Sequence, residues 1–249
     1  MLERFLYKKA LAITCVTRSF VQYVVSKGIP PSRVFFLPNG TIPEIFSSEL
    51  EDPALRYRLG LNGRFVVSFC GNHGVAQGLP SILDTAKLLS REKNIVFCFI
   101  GEGPVKAELL RRKDSENIEN VIFLPQVPVT EVSKYINASD ILLVPLKADK
   151  VFDWFIPSKM FDFMSCGKAI ILSVNGEARR ILDESRGGVY VPGDSPEALA
   201  EAIIELSGDP GRLAEMGKRG RDYVLSHFTR EVQANAFEQI LLGLVRERA

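Results

Sequence analysis

The sequence predicts an α/β fold, a doubly wound parallel sheet of the Rossmann-like kind. Three observations carry that expectation. Eight short apolar runs recur along the 249 residues, at 11–16, 34–37, 65–70, 95–100, 121–124, 141–144, 169–172 and 188–191. They are continuous rather than alternating, as strands covered on both faces require. Helix-like stretches separate them, among them 79–90, 105–112 and 131–137, and strands alternating with helices build parallel βαβ units. Helix starts are also signposted, by Thr130-Glu131, Ser195-Pro196 and Asp209-Pro210.

Taken in order, residues 1–37 read as helix, strand, helix and strand, followed by Pro38-Asn39-Gly40. Two strands are too few to bury a core of their own. This unit reads as the tail of a domain whose front is missing. A polar stretch around Ser47–Glu51 marks a seam, and a new strand–helix series begins at Phe65. The last helix, over 229–245, carries an apolar stripe of Val232, Ala236, Phe237, Ile240, Leu241 and Leu244 that needs a surface to cover. The expected boundaries are 1–43 for the remnant, 44–228 for the main domain and 229–249 for the final helix.

Bulk properties exclude several classes. Hydrophobic content of 46%, charged content of 24% and net charge +1 fit an ordinary globular protein. There is no basic field on the scale that nucleic acid demands. The first segment is locally basic, with Arg4, Lys8, Lys9, Arg18, Lys27 and Arg33 against Glu3. A solvated face explains this, and contact with an anionic membrane surface is the second reading. Cys15, Cys70, Cys98 and Cys166 each sit in or beside apolar stretches without a C-x-x-C pair, so they read as reduced core residues of a cytoplasmic protein. No apolar run approaches a membrane span, and no signal peptide is expected.

Ligands of doubly wound sheets bind outside the carboxyl ends of the strands, so the loops there carry the candidates. Gly71-Asn72-His73-Gly74-Val75-Ala76-Gln77-Gly78 follows the third run. Its glycines let a backbone approach a ligand, and His73 is a candidate donor to a phosphate oxygen. The same loop also reads as a plain glycine-rich turn, and its spacing is not the dinucleotide G-x-G-x-x-G. Gly101-Glu102-Gly103-Pro104 is a turn, or a place for Glu102 beside a ribose. Pro125-Gln126-Val127-Pro128 is a rigid loop whose backbone suits a base edge. The richest stretch is 155–173. It reads as a loop, a short helix opened by Pro157-Ser158, a stop at Gly167 and a strand. Ser158, Lys159 and Asp162 share one face of that helix, and Met160, Phe163 and Met164 another. A lysine and a carboxylate at a helix start suit a diphosphate and sugar hydroxyls. An ordinary capped helix with a Lys159–Asp162 pair is the plain alternative.

Six pieces in register resemble the nucleotide-sugar-binding half of a family-four glycosyltransferase with the two-domain GT-B fold. They are Leu37–Gly40, Gly71–Gly78, Phe99–Pro104, Phe123–Val127, Ala138–Pro145 and Pro157–Lys168. The glycine loop and the Pro-Ser-Lys piece look most like a bacterial fucosamine-transferase-like branch. The resemblance implies a retaining transferase using a nucleoside-diphosphate sugar, without metal or other cofactor, in cell-surface polysaccharide or lipopolysaccharide synthesis. It implies that Asp162 binds ribose hydroxyls and that Phe155, Ile156, Pro157 and Ser158 face the donor sugar and diphosphate. It places Gln126 and Val127 at the base, and Gly71, Asn72, Gly74, Gln77 and Gly78 in the loop over the phosphates. Lys159 and His73 are the catalytic candidates, as donors to the departing diphosphate. Two departures stand out. Trp154 occupies the place of the family's first acid, and Asn72 and Gln77 occupy those of its loop arginine and lysine.

The expected partners are a nucleotide sugar and a glycan or lipid-linked acceptor, with a separate chain supplying the acceptor domain or self-association covering the apolar faces. The expected location is cytoplasmic, at or near the inner face of the membrane. The rival readings are a non-catalytic nucleotide-binding subunit or gene fragment, and a dinucleotide oxidoreductase supported by Glu102.

Overall fold

A computed structural model describes residues 2–246. The chain begins with α1 (Leu2–Lys9), β1 (Ile13–Cys15), α2 (Arg18–Ser26) and β2 (Val34–Phe36). It continues through α3 (Leu55–Arg58), β3 (Phe65–Cys70), α4 (Leu79–Leu88), β4 (Ile95–Ile100), α5 (Lys106–Ser115), β5 (Val121–Leu124) and α6 (Val129–Asn137). Then come β6 (Ile141–Pro145), α7 (Lys159–Ser165), β7 (Ile170–Ser173), α8 (Gly176–Ser185) and β8 (Gly188–Tyr190). Helices α9 (Pro196–Ser207), α10 (Pro210–His227) and α11 (Arg230–Arg246) complete it. All eight expected strands are present. The first is shorter than expected, because Leu11 and Val16 at its ends are 44% and 45% exposed and only three residues of β2 face it.

β3 to β8 form one parallel sheet in the order β5-β4-β3-β6-β7-β8. The order reverses between β3 and β6, which is the switch point of a doubly wound fold. β3, β4 and β6 are buried almost throughout, which explains their lack of alternation. One core layer packs α4 and α9 against the sheet, with Phe69, Phe97 and Phe99 at its centre. The other packs α7 and α8, with Met160, Phe161 and Met164 fully covered. β1 and β2 form a separate two-stranded parallel sheet with a small core of Cys15, Val24, Ile29 and Val34.

That small unit docks on the main sheet through two sets of contacts. Glu177 of α8 accepts from the N–H groups of Arg18, at 2.9 Å, and Ser19, so a carboxylate caps the start of α2. Trp154 packs on Phe20 and Tyr23, with ring centroids 5.9 Å apart in both pairs. Phe155 meets Phe20 at 5.6 Å. Further links run through the segment after β2. Thr41 and Thr229 form a parallel bridge, joining the segment after β2 to the start of α11.

All four cysteines are free and buried. Burial pushes the thiols of Cys70, Cys98 and Cys166 up, to about 11, 12 and 12. No described helix is long and apolar enough to cross a membrane. Helix α11 buries none of its residues, and Phe237 and Leu241 of its apolar stripe are 42% and 46% exposed.

Candidate functional site

A cleft of about 380 Å³ opens at the carboxyl ends of β3, β4 and β5, beside the switch point. Its volume lies in the range of small-ligand sites. Phe46, Val127, Val132, Ile136 and Phe163 give it an apolar floor continuous with the core. Asn72, Glu102, Gln126, Lys159 and Asp162 are its polar groups.

Three βα loops shape the rim, and glycine makes their close approach feasible. Gly71 has φ +139°, and its N–H donates to the Ile100 carbonyl at 2.9 Å. A Cβ on Gly71 would lie 3.3 Å from Lys159 Nζ, so the missing side chain makes room for the ammonium. Gly101 has φ +135°, and a Cβ there would fall 2.1 Å from the Gly71 carbonyl oxygen. The first two loops therefore lie backbone to backbone.

Lys159 opens α7 and crosses toward the glycine loop. Its Nζ donates to Gln77 Oε1 at 2.7 Å and stands 4.2 Å from the centre of the Phe69 ring. Burial lowers its pKa to about 8. Among the described residues lining the cleft it is the one cation. Asp162 lies one turn later, where burial raises its carboxyl to about 6. Its Oδ1 accepts from Thr41 Oγ1 at 2.8 Å. The Lys159–Asp162 pair of the plain capped-helix alternative is not formed, because each side chain takes a partner from a different element. Ser158 does not cap α7. Its backbone is already helical, and its hydroxyl makes no cap bond.

His73 is a correction. It was expected to face a phosphate, but it is fully buried and does not line the cleft. Its ring sits between Phe69, Phe99 and Phe123, with centroids 5.7, 6.2 and 6.3 Å away, and neither nitrogen has a partner. Burial pushes its pKa down to about 4, so it is neutral at pH 7. What His73 contributes is backbone. Its N–H donates to the Glu102 carbonyl at 2.8 Å, and its carbonyl accepts from Val105 at 3.1 Å.

Of the other expected residues, the cleft gathers Gly71, Asn72, Gln126 and Val127 along with Lys159 and Asp162. Gln77 joins through its bond to Lys159. Gly74, Gly78, Phe155, Ile156, Pro157 and Ser158 lie outside its lining. Trp154, which the resemblance sets at the place of a family acid, packs on α2 and not into the cleft. Glu102 is in the lining but is occupied by Lys106, whose Nζ is 2.6 Å away and holds the carboxyl below its usual range. Thr41 and Phe46 were missed. Both precede the series of strands that draws attention to the loops.

An apolar slot beside one lysine and one carboxylate free of an ion pair suits a ligand with a flat apolar ring, an anionic group and hydroxyls. The family described as glycosyl transferases group 1 matches residues 64–209, more than half of the chain. The chain belongs to the group 1 glycosyl transferases. It is 26% identical over 246 residues to WbjE of Pseudomonas aeruginosa, a probable glycosyltransferase, covering 98% of this chain and 60% of that one. It is 23% identical over 236 residues to the GDP-mannose-dependent alpha-(1-6)-phosphatidylinositol monomannoside mannosyltransferase of Mycolicibacterium smegmatis, covering 93% of this chain and 62% of the relative. Among solved structures, Anabaena HepE in complex with UDP-glucose superposes with a TM-score of 0.78 at 16% identity, covering 95% of this chain and 64% of that one. That likeness establishes the fold as one half of the GT-B architecture. The chain spans about three-fifths of the length of these two relatives.

Proposed function

We propose that this chain is the donor-binding part of a retaining glycosyltransferase that takes a sugar from a nucleoside diphosphate, in bacterial cell-surface glycan synthesis. The observation that carries the reading is the joint placement of Lys159 and Asp162 on the first turn of α7, at the switch-point cleft of a group 1 fold. The base occupies the slot between Val127 and Phe163. Asp162 accepts from the ribose hydroxyls. Lys159 faces the diphosphate, where negative charge grows as the glycosidic bond to the leaving group breaks.

A fixed ammonium aimed at that charge stabilises the transition state more than the ground state. Gln77 holds Lys159 in place before the ligand arrives, and the bare Gly71 leaves room for its ammonium, so little ordering is needed on binding. The acceptor is a glycan or lipid-linked glycan, and the residues that bind it belong to the part of the relatives this chain does not span.

Calorimetric titration of the folded chain with UDP and with GDP tests the reading. One of them binds with micromolar to millimolar affinity, and Lys159→Met weakens it about tenfold, as loss of one charge-assisted contact does. Folded protein that binds neither nucleotide would sink the proposal.

A further inference from the structure

The side chain that holds Asp162 comes from 121 residues away, with Thr41 Oγ1 donating to Asp162 Oδ1 at 2.8 Å. Thr41 is 1% exposed and its backbone is clamped. Its N–H donates to the Phe228 carbonyl and its carbonyl accepts from the Arg230 N–H, both at 2.8 Å. Arg230 Nε also donates to the Gly40 carbonyl at 2.9 Å. A Cβ at Gly40 would lie 2.5 Å from the Thr229 carbonyl carbon, so the two strands of this strap touch. The hydroxyl thus hangs from a backbone that cannot shift without breaking the bridge. Among the described residues no second side chain bonds Asp162, and its Oδ2 has no protein donor.

We propose that Thr41 is the positioning residue for Asp162: its hydroxyl fixes one carboxylate oxygen so that the other accepts from the vicinal ribose hydroxyls of the nucleotide. This rests on the nucleotide-sugar reading of the cleft. The logic is that of any supporting shell, where a bonded neighbour selects the rotamer of the residue that touches the ligand. It also favours the ionised carboxyl, because the hydroxyl donates to it. The titratable groups facing Asp162 are Cys70 at the end of β3, Cys166 behind α7 and Arg230 at the start of α11. Both thiols are pushed up to about 11 or 12, so they carry no charge near neutrality. Lys159 is turned toward Gln77.

The test uses the full chain and two readouts. Carbon-13 NMR follows the Asp162 carboxyl titration in the parent, Thr41→Val and Thr41→Ser. Calorimetry gives the UDP and GDP affinities of the same proteins between about pH 5 and pH 9, the span around the two shifted groups. Thr41→Val moves the Asp162 midpoint upward and weakens the bound nucleotide about tenfold near pH 6.5, the size expected for losing a hydrogen bond to a charged group. Thr41→Ser, which keeps the hydroxyl, recovers most of both. An unmoved midpoint in Thr41→Val, or nucleotide affinity within about twofold of the parent, overturns the proposal. An equal loss in Thr41→Ser assigns the effect to strap packing and also overturns it. If the midpoint moves while the parent binds neither nucleotide, the nucleotide reading is what fails, and the ligand role of Thr41 fails with it. If Thr41→Val does not fold, a double-mutant cycle of Thr41→Ala with Asp162→Asn on nucleotide affinity decides, and zero coupling overturns the proposal.

Discussion

Lys159 and Asp162 are both displaced from their ordinary titration ranges, in opposite directions and for the same reason. Covering either group penalises its charged form. Asp162 therefore ionises at about 6, and Lys159 loses its proton at about 8. The proposed nucleoside diphosphate needs the carboxylate and the ammonium together. Affinity for UDP or GDP is accordingly expected to rise as pH passes 6 and to fall beyond 8, and calorimetry across that range checks it. For folding, the sign of the Asp162 effect is set by its raised pKa. The folded state holds a proton that the unfolded chain releases, so this carboxyl lowers stability as pH rises from about 4 to about 6. His73 makes the contrary prediction. Because its ring is neutral and enclosed by phenylalanines, His73→Phe leaves nucleotide affinity within about twofold of the parent, and any penalty falls on stability. A tenfold loss of affinity in that variant would restore His73 to the site.

At the scale of elements, the rim of the cleft is made by loops that touch through their backbones. Gly101 is the sharpest case, since it combines a left-handed φ with contact against the Gly71 carbonyl. Gly101→Ala is expected to cost about 2–4 kcal/mol in urea unfolding, from steric displacement plus backbone strain. It should also weaken nucleotide binding by shifting the loop against which Lys159 rests. The strands that carry these loops were legible because each is a closed apolar run between turn residues. Gly71, Asn72, Gln126, Val127, Lys159 and Asp162 were legible because switch-point loops collect ligands and a short helix put the charged pair on one turn. His73 was not, because a histidine among glycines shows no pattern that separates a buried ring from an exposed one. Phe46, Val132 and Ile136 were hidden for a different reason. A floor built from core residues has the same composition as the core. Thr41 sends no local signal at all, since its partner lies beyond any sequence window.

At the scale of the molecule, the departures from the family pattern take on a structural sense. Trp154, which the resemblance sets at the place of an acid, seats α2 through Phe20, and Glu177 caps the start of that helix. The β1–β2 unit is thereby attached to the sheet it does not join. The bond from Arg230 to Gly40 spans 190 residues. Contacts of such long range form late in folding, after the sheet has already brought their ends near, because closing so long a loop first carries an entropy cost with little local gain. The strap is then expected to be missing from the folding transition state and to form only in the finished protein. Weakening it with Gly40→Ala should leave the refolding rate nearly unchanged and speed unfolding, a split that stopped-flow denaturant-jump kinetics reads directly. With that outcome the bridge at Thr41 is a latch on the lifetime of the native state, closed last and opened first.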